Sequence, residues 1–380
     1  MLIAGAFTHS IGFGTGCLLV LLGLCFWERR QGEPWWPHTV LDRPIVTFLL
    51  VLVISSVWSE WRWQALAATA QLGLAGFVVL RAVVLSFARD ETFATRMVLA
   101  WAAGGAVVGV IGVSTTLLGI GMPDGRLQLT IGSNGLGSIF AMAAVLLLVA
   151  FALESGRQRW LACTGVSAVV VALALTQSRG GWLGGAIGLA TLTAFVSPRR
   201  FLVCLCMAAV ALVAASPLIT AGLSAQTGRL SDTLDAEGIR SRPAIWRTVP
   251  RILAGHLLLG VGLTTFSRAY RRVVPEAVAL DLSPHAHNVF LSFLAETGVA
   301  GLAAFVALIS AIIGAMWRWH TAAPPRHSDR LISAGILAAF VALLGHQLVD
   351  MTLFGLHIAV GFLFLVGLGG AGDLRRRPVW

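Results

Sequence analysis

Apolar residues come in long uninterrupted blocks along this chain, not in the alternation of a half-buried strand or the three-to-four spacing of a surface helix. Eleven blocks can be placed, at about 8–27, 44–59, 64–86, 97–120, 135–153, 159–176, 181–196, 201–219, 288–317, 331–349 and 353–370. Most approach the ~20 residues an α-helix needs to cross a bilayer core. Backbone in lipid must satisfy its own hydrogen bonds, which leaves helices or a closed barrel, and blocks of this length are helices. The pattern therefore predicts an all-α, polytopic bundle of about 11–12 transmembrane spans, a single integral membrane domain over residues 1–380. Several blocks are only a few residues apart, so neighbours are antiparallel hairpins. The block at 288–317 exceeds one span and is expected to begin with an outer helical turn or to tilt strongly. The first block lacks a basic leader and reads as a retained span rather than a cleaved signal.

One connector departs from this pattern. Residues 220–287 form a long loop that carries Arg229, Arg240, Arg242, Arg247, Arg251, Arg268, Arg271 and Arg272. Loops of that length are usually functional or disordered. Pro243 suits a helix start, and Ile245, Trp246, Val249, Ile252 and Leu253 then recur at helical spacing with Arg247 and Arg251 opposite. An amphipathic helix lying on the membrane–water boundary is expected there, bent near Pro250. No internal repeat or low-complexity segment stands out.

Composition sharpens this picture. Charged residues are 12% of the 380 and hydrophobic ones 57%, with mean hydropathy +0.85; soluble domains carry about 25% charge. The net charge is +10 and every Lys/Arg position is arginine. Those arginines sit in short connectors, so they speak for topology rather than nucleic acid, and no nucleic-acid partner is expected. Arg29, Arg30, Arg43, Arg89, Arg96, Arg157, Arg159, Arg199, Arg200, Arg318, Arg326, Arg330 and Arg375–Arg377 fall on one side, and Arg81 is close enough to snorkel to it. Only Arg62, Arg126 and Arg179 occupy the other short connectors. The positive-inside rule makes the first side cytoplasmic, with the N-terminus outside, the C-terminus inside and the 220–287 loop outside. Trp27, Trp58, Trp61, Trp63, Trp160, Trp182, Trp317 and Trp319 near span ends fit an interfacial belt. Cys17, Cys25, Cys163, Cys204 and Cys206 lie in apolar blocks without CxxC spacing, which excludes a disulfide framework or cysteine metal site.

Chemistry gathers on the outer side. Arg179 stands in the tight turn TQSRGG (176–181), where its fork is reachable from outside. Arg240 and Arg242 flank the start of the loop helix, a good place for an anion. PHAHN (284–288) places His285, His287 and Asn288 just before an apolar block. An HxH pair can ligate metal, but no HExxH, third histidine or carboxylate cluster lies at ligand spacing. Neutral imidazole is the more natural reading, a general base for a hydroxyl, with Asn288 as helix cap. His346 and Asp350 are four apart, hence on one helix face at an outer span end; His357 is a weaker candidate. Arginines, a histidine pair and an Asp–His pair on one side fit an enzyme acting on a lipid-linked anion, or an anion transporter. Transporters show inverted repeats or broken midplane helices, and neither is visible.

These residues, in this order, resemble the bacterial O-antigen ligase and polysaccharide polymerase family. DRPIVTFLLVLVISSVWSE (42–60) looks like its early span, and GRLQLTIGSNGLG (125–137) like its Gly–Asn element. SRGGWLG (178–184) resembles its Ser-Arg-Gly turn. SRPAIW (241–246) with GHLLLGVGLTTF (255–266) resembles the start of its periplasmic loop, and HAHNVFLSFLAETGVAGL (285–302), the most specific piece, its His-Asn entry into the following span. The resemblance implies a membrane-embedded, metal-independent inverting glycosyltransferase of the C type in the inner membrane, active at the periplasmic face and without cofactor. Its donor would be a glycan on undecaprenyl diphosphate, and its acceptor lipid A–core or a growing glycan, with membrane lipids as surroundings. Carried over by motif, Arg179 and Arg242 hold the diphosphate, with Arg240 a rival to Arg242, and His287 is the base. His285, Asn288, His346 and Asp350 support it. The chain departs from the family in having about one fewer N-terminal span, and His256-Leu257 where His-Pro is common. A ligase is favoured slightly over a polymerase.

Overall fold

A computed structural model of the chain describes residues 11–90, 92–120, 125–129, 131–196, 206, 210, 213, 217, 242–274, 285–323 and 327–374. The candidate site residue Arg240, the block at 201–219 apart from those isolated positions, and much of the 220–287 loop lie outside them.

Ten helices follow the apolar blocks in order: α1 (Ile11–Arg30), α2 (Asp42–Trp58), α3 (Arg62–Arg89), α4 (Phe93–Leu117), α5 (Ser133–Leu153), α6 (Gly156–Thr176), α7 (Arg179–Phe195), and, beyond the loop, α10 (Val289–Ala322), α11 (His327–Gln347) and α12 (Leu356–Leu374). Two shorter helices, α8 (Arg242–Ile252) and α9 (Phe266–Val273), belong to the loop. There is no strand among the described residues. Among the described residues, seven helices are long and apolar enough to cross a membrane: α3–α6 and α10–α12. At 17 residues each, α2 and α7 reach only about 25 Å at 1.5 Å per residue, short of the full hydrocarbon thickness. Of the eleven expected spans, ten correspond to helices among the described residues, and seven of these are long and apolar enough to cross a membrane.

The helices form two groups. In one, α4, α5, α6, α7 and α11 pack around α5, which is buried along most of its length. In the other, α1, α2, α3, α10 and α12 pack together, and α11 joins the groups through α10 and α12. Large apolar side chains such as Val46, Leu50, Val53, Ile54 and Val57 on α2, and Val107, Val110 and Ile111 on α4, remain exposed on the outside. An apolar surface that extensive is expected of a protein whose solvent is lipid.

Close packing rests on small residues. Gly180, Gly184 and Gly188 recur every four residues along α7 and face α11. A Cβ on Gly188 would lie 2.6 Å from Ala342 Cβ, and one on Gly184 would strike the Ala342 carbonyl. On the other flank, a Cβ on Gly181 would lie 2.9 Å from Gly137 Cα of α5. Glycine stripes of this kind let membrane helix backbones approach. They wedge the start of α7 between α5 and α11.

One expectation changes and another takes definite form. Arg81 does not snorkel to water: it is fully buried, with Nη1 donating to Glu28 Oε2 at 2.5 Å and Nε to the Trp35 carbonyl at 3.0 Å. Protein groups of the 28–35 connector replace solvent. The long block near 288 does begin with a separate outer helix. α10 breaks at Gly298 (φ 66°, ψ −169°), and loop residues 257–262 lie across the break. Val261 N–H donates to Ala295 O (3.1 Å), Gly262 N–H to Glu296 O (2.6 Å) and Val299 N–H to Leu257 O (2.9 Å). The Glu296 carboxylate accepts the N–H groups of Thr264 (2.9 Å) and Phe266 (3.1 Å), at the start of α9.

That docking also changes the role of the loop helix. α8 starts at Arg242 with Pro243 in its first turn and contains Pro250, as expected. Its apolar face, however, rests on protein: Ile245, Val249 and Ile252 pack with Val261, Phe266, Tyr270 and Ala295 in a small core of their own. Arg247 and Arg251 point away, exposed.

Candidate functional site

The two helix groups meet, on the loop side, where α7 begins, α10 begins and α11 ends. Each end is fixed by its own capping chemistry. Ser178 Oγ caps α7 by accepting the Gly181 N–H at 3.1 Å, and Arg179 is the first helical residue, exposed. Asn288 caps α10 through Leu291 N–H (2.9 Å) while its amide donates to Leu348 O at 2.7 Å, tying α10 to the segment after α11. Gln347 shapes that segment, its Oε1 accepting the N–H groups of Thr352 (2.9 Å) and Leu353 (3.1 Å). α8 is tied in by Trp246, whose indole N–H donates to Ala286 O at 2.7 Å.

Asp350 is the centre of this joint. Its side chain is 3% exposed. Oδ1 lies 2.9 Å from His287 Nδ1 and accepts the Met351 N–H at 2.8 Å. Arg242 Nη2 reaches Oδ2 at 3.5 Å, a long contact that leaves most of the guanidinium fork uncommitted. Burial alone would raise the Asp350 pKa, but the His287 hydrogen bond and charge, with the Met351 N–H, bring it down to about 2. The carboxylate is therefore ionised and can only accept, so Nδ1 of His287 carries the proton. In neutral imidazole this makes Nε2 the basic nitrogen. The His287 side chain is 26% exposed, so that nitrogen can be approached. His287 itself sits in the left-handed region (φ 49°), a conformation non-glycine residues adopt at local cost.

His285 packs edge-on against His287, ring centroids 4.5 Å apart, and its Nδ1 accepts the His287 backbone N–H at 3.2 Å. Burial, then the neighbouring charges of His287 and Arg242 against the opposing pull of Asp350, hold its pKa down to about 4. His346, by contrast, is fully buried and faces α7: its Nε2 lies 3.4 Å from Ser178 Oγ. The shared helix face expected of His346 and Asp350 is not formed, because α11 ends at Gln347: Asp350, beyond it, meets His287, and His346 supports the Arg179 turn.

A residue noted only for topology also belongs here. Arg126 donates from Nε to Thr176 O (3.0 Å) and from Nη2 to Asn134 Oδ1 (2.8 Å), linking the start of α5 to the segment before the Arg179 turn. The signal was present in GRLQLTIGSN, an arginine eight residues before an asparagine, but spacing cannot show a contact made through tertiary folding. The same limit hid a third ligand for the histidine pair. Donor atoms of His285, His287 and Asp350 all lie within 4.8 Å of one another, so the three residues could hold a metal ion. The donor set suits zinc, although Asp350 already serves two N–H groups and an arginine.

This is a multi-pass helical membrane protein whose polar side chains converge at one end of the bundle, on the seam between two helix groups. Residues 164–306, a stretch that includes Arg179, Arg242, His285 and His287, match the family model described as O-antigen ligase. The resemblance seen in the short motifs thus agrees with a family match over that part of the chain. No curated protein matches the chain.

Proposed function

We propose that the chain transfers a glycan from undecaprenyl diphosphate to an acceptor hydroxyl at the periplasmic face of the bacterial inner membrane, as an O-antigen ligase acting on lipid A–core. The observation that carries the reading is the Asp350–His287 pair, which leaves Nε2 as an approachable base beside arginines able to hold a diphosphate. Arg179 and Arg242 bind the donor diphosphate in forked contacts and stabilise the charge that grows on it as the sugar bond breaks. Arg240 is a further candidate for this task. His287 takes the proton of the acceptor hydroxyl as it attacks from the opposite face of the sugar, giving inversion. Asp350 holds the imidazole in the required tautomer and offsets its charge once protonated.

In this reading no metal is needed, because guanidinium groups supply the electrostatic stabilisation. Arg242 beside Asp350 also opposes a second cation in the cluster. The test is transfer by purified protein from a lipid-diphosphate-linked glycan to lipid A–core. Activity is expected to persist in EDTA. Loss in EDTA with recovery on adding a divalent ion overturns the metal-free mechanism and makes His285, His287 and Asp350 ligands.

A polymerase remains the second reading, since a polymerase uses the same donor and differs only in acceptor.

A further inference from the structure

A second concave site lies on the loop side, away from the Asp350–His287 pair. A cavity of about 160 Å³ opens between the α2–α3 turn, the end of α8 and α9. That is smaller than the ~300–1,000 Å³ of a whole-ligand pocket, and of a size for one group of a larger substrate. Its floor is apolar (Ile252, Val261, Ala269) and its rim polar: Glu60, Trp61, Arg251, His256 and Arg272. Arg272 lies 4.4 Å over the Trp61 ring and donates to Glu60 Oε2 at 2.5 Å. This arrangement covers a face of the indole and neutralises that arginine. Arg251, exposed, makes no hydrogen bond or ion pair among the described residues, and neither does the half-buried His256 ring. The cavity is left with an uncompensated guanidinium and an imidazole, a combination that recognises an anionic group.

Its position bears on which substrate that is. Arg242 at the start of α8 touches Asp350, and Arg251 lines the cavity. Nine residues of helix separate them, about 14 Å, a distance a few linked sugars can span. The cavity wall is tied to the frame that holds His287: Val261 bonds to Ala295 of α10, and Trp246 to Ala286.

We propose that this cavity is an acceptor subsite: it binds a phosphate or other anionic group on the acceptor glycan, a few sugars from the hydroxyl that reacts at His287. The proposal rests on the glycosyl-transfer reading above. A phosphate could also arrive on a lipid headgroup, since Leu257 and Leu258 nearby are exposed and apolar, so the test separates the two sources.

The protein is placed in nanodiscs of phosphatidylcholine, with or without phosphatidylglycerol. The probe is a water-soluble oligosaccharide acceptor bearing a phosphomonoester, used before and after phosphatase treatment. Arg251→Gln, an exposed change that leaves the fold intact, is expected to raise KM for the phosphorylated acceptor about ten-fold. The turnover number and donor KM stay unchanged, and the dephosphorylated acceptor shows no difference from wild type. His256→Gln shifts the same parameter in the same direction. Equal KM for both acceptors in the wild-type protein overturns the subsite. So does an effect of Arg251→Gln seen only in phosphatidylglycerol discs, which reassigns the cavity to a lipid headgroup. Calorimetric titration of the phosphorylated probe without donor is the independent arm. Arg251-dependent binding by a protein that transfers nothing supports an anionic-glycan site while sinking the transfer reading. Transfer without Arg251-dependent binding sinks the subsite alone.

Discussion

Two side chains 63 residues apart in sequence, His287 and Asp350, define the chemistry proposed here, and they are the place to test it. Replacing His287 by alanine removes the base and is expected to lower glycan transfer by about 10²–10⁴-fold while the protein still inserts. Full activity in that variant excludes His287 as the base. Asp350→Asn is the finer probe. An amide can present an N–H to Nδ1, which moves the imidazole proton to Nε2, so a comparable loss in turnover with little change in donor KM is expected. Acidity supplies a third readout. Asp350 is held at about 2, so its contribution to stability is complete above the ordinary carboxylate value and lost only as pH falls toward 2. His285 acts in the same direction but in a higher window: neutral in the fold down to about 4, it contributes stability that is full above 6.5 and declines as pH falls from there to about 4. Melting in detergent should therefore weaken between pH 6.5 and 4, and His285→Gln should flatten that slope. An unchanged slope removes His285 as its source.

At the level of elements, sequence and structure agree where one physical signal dominates. Hydrophobic blocks of span length announce helices unambiguously, because lipid permits little else. Pro243 marked the start of α8, and Ser178 and Asn288 sit at helix starts in sequence as they do in space. What the pattern did not show was which partner an apolar face would choose. The face of α8 is equally suited to lipid and to protein, and Gly260 and Gly298 decided the matter. Both have positive φ, and a side chain on either would strike the backbone of the other segment, so the loop closes onto α10 only because both are glycine. The stripe Gly180, Gly184, Gly188 was likewise legible as spacing, but its target on α11 was not. Gly184→Val is expected to push α7 from α11, costing about 1–3 kcal/mol by overpacking and displacing the Arg179 turn. Thermal unfolding in detergent and activity should fall together. A variant with wild-type melting and activity shows that the contact at Ala342 yields without consequence.

For the molecule as a whole, the arginine distribution is the observation that bears on which side of the membrane the proposed chemistry occurs. Ion pairs such as Arg318–Asp373 and Arg81–Glu28 belong to the end of the bundle opposite the Asp350 joint, and that end holds most of the short-connector arginines. A reporter fused at about residue 235 should read periplasmic and one at about 323 cytoplasmic; the reverse moves the joint to the wrong face for a periplasmic donor. The acceptor is a property of the whole assembly of loop and bundle, and no single motif encodes it, which is why ligase and polymerase remain close in sequence. Deleting the gene and resolving surface glycans on a gel separates them. A ligase leaves lipid A–core bare while lipid-linked polymer accumulates, because chains are built but not delivered. A polymerase leaves core capped by one repeat unit, because delivery continues without extension. The first pattern is expected. The second keeps the Asp350–His287 mechanism and the arginine clamp unchanged, and transfers the acceptor hydroxyl from lipid A–core to the end of a growing glycan.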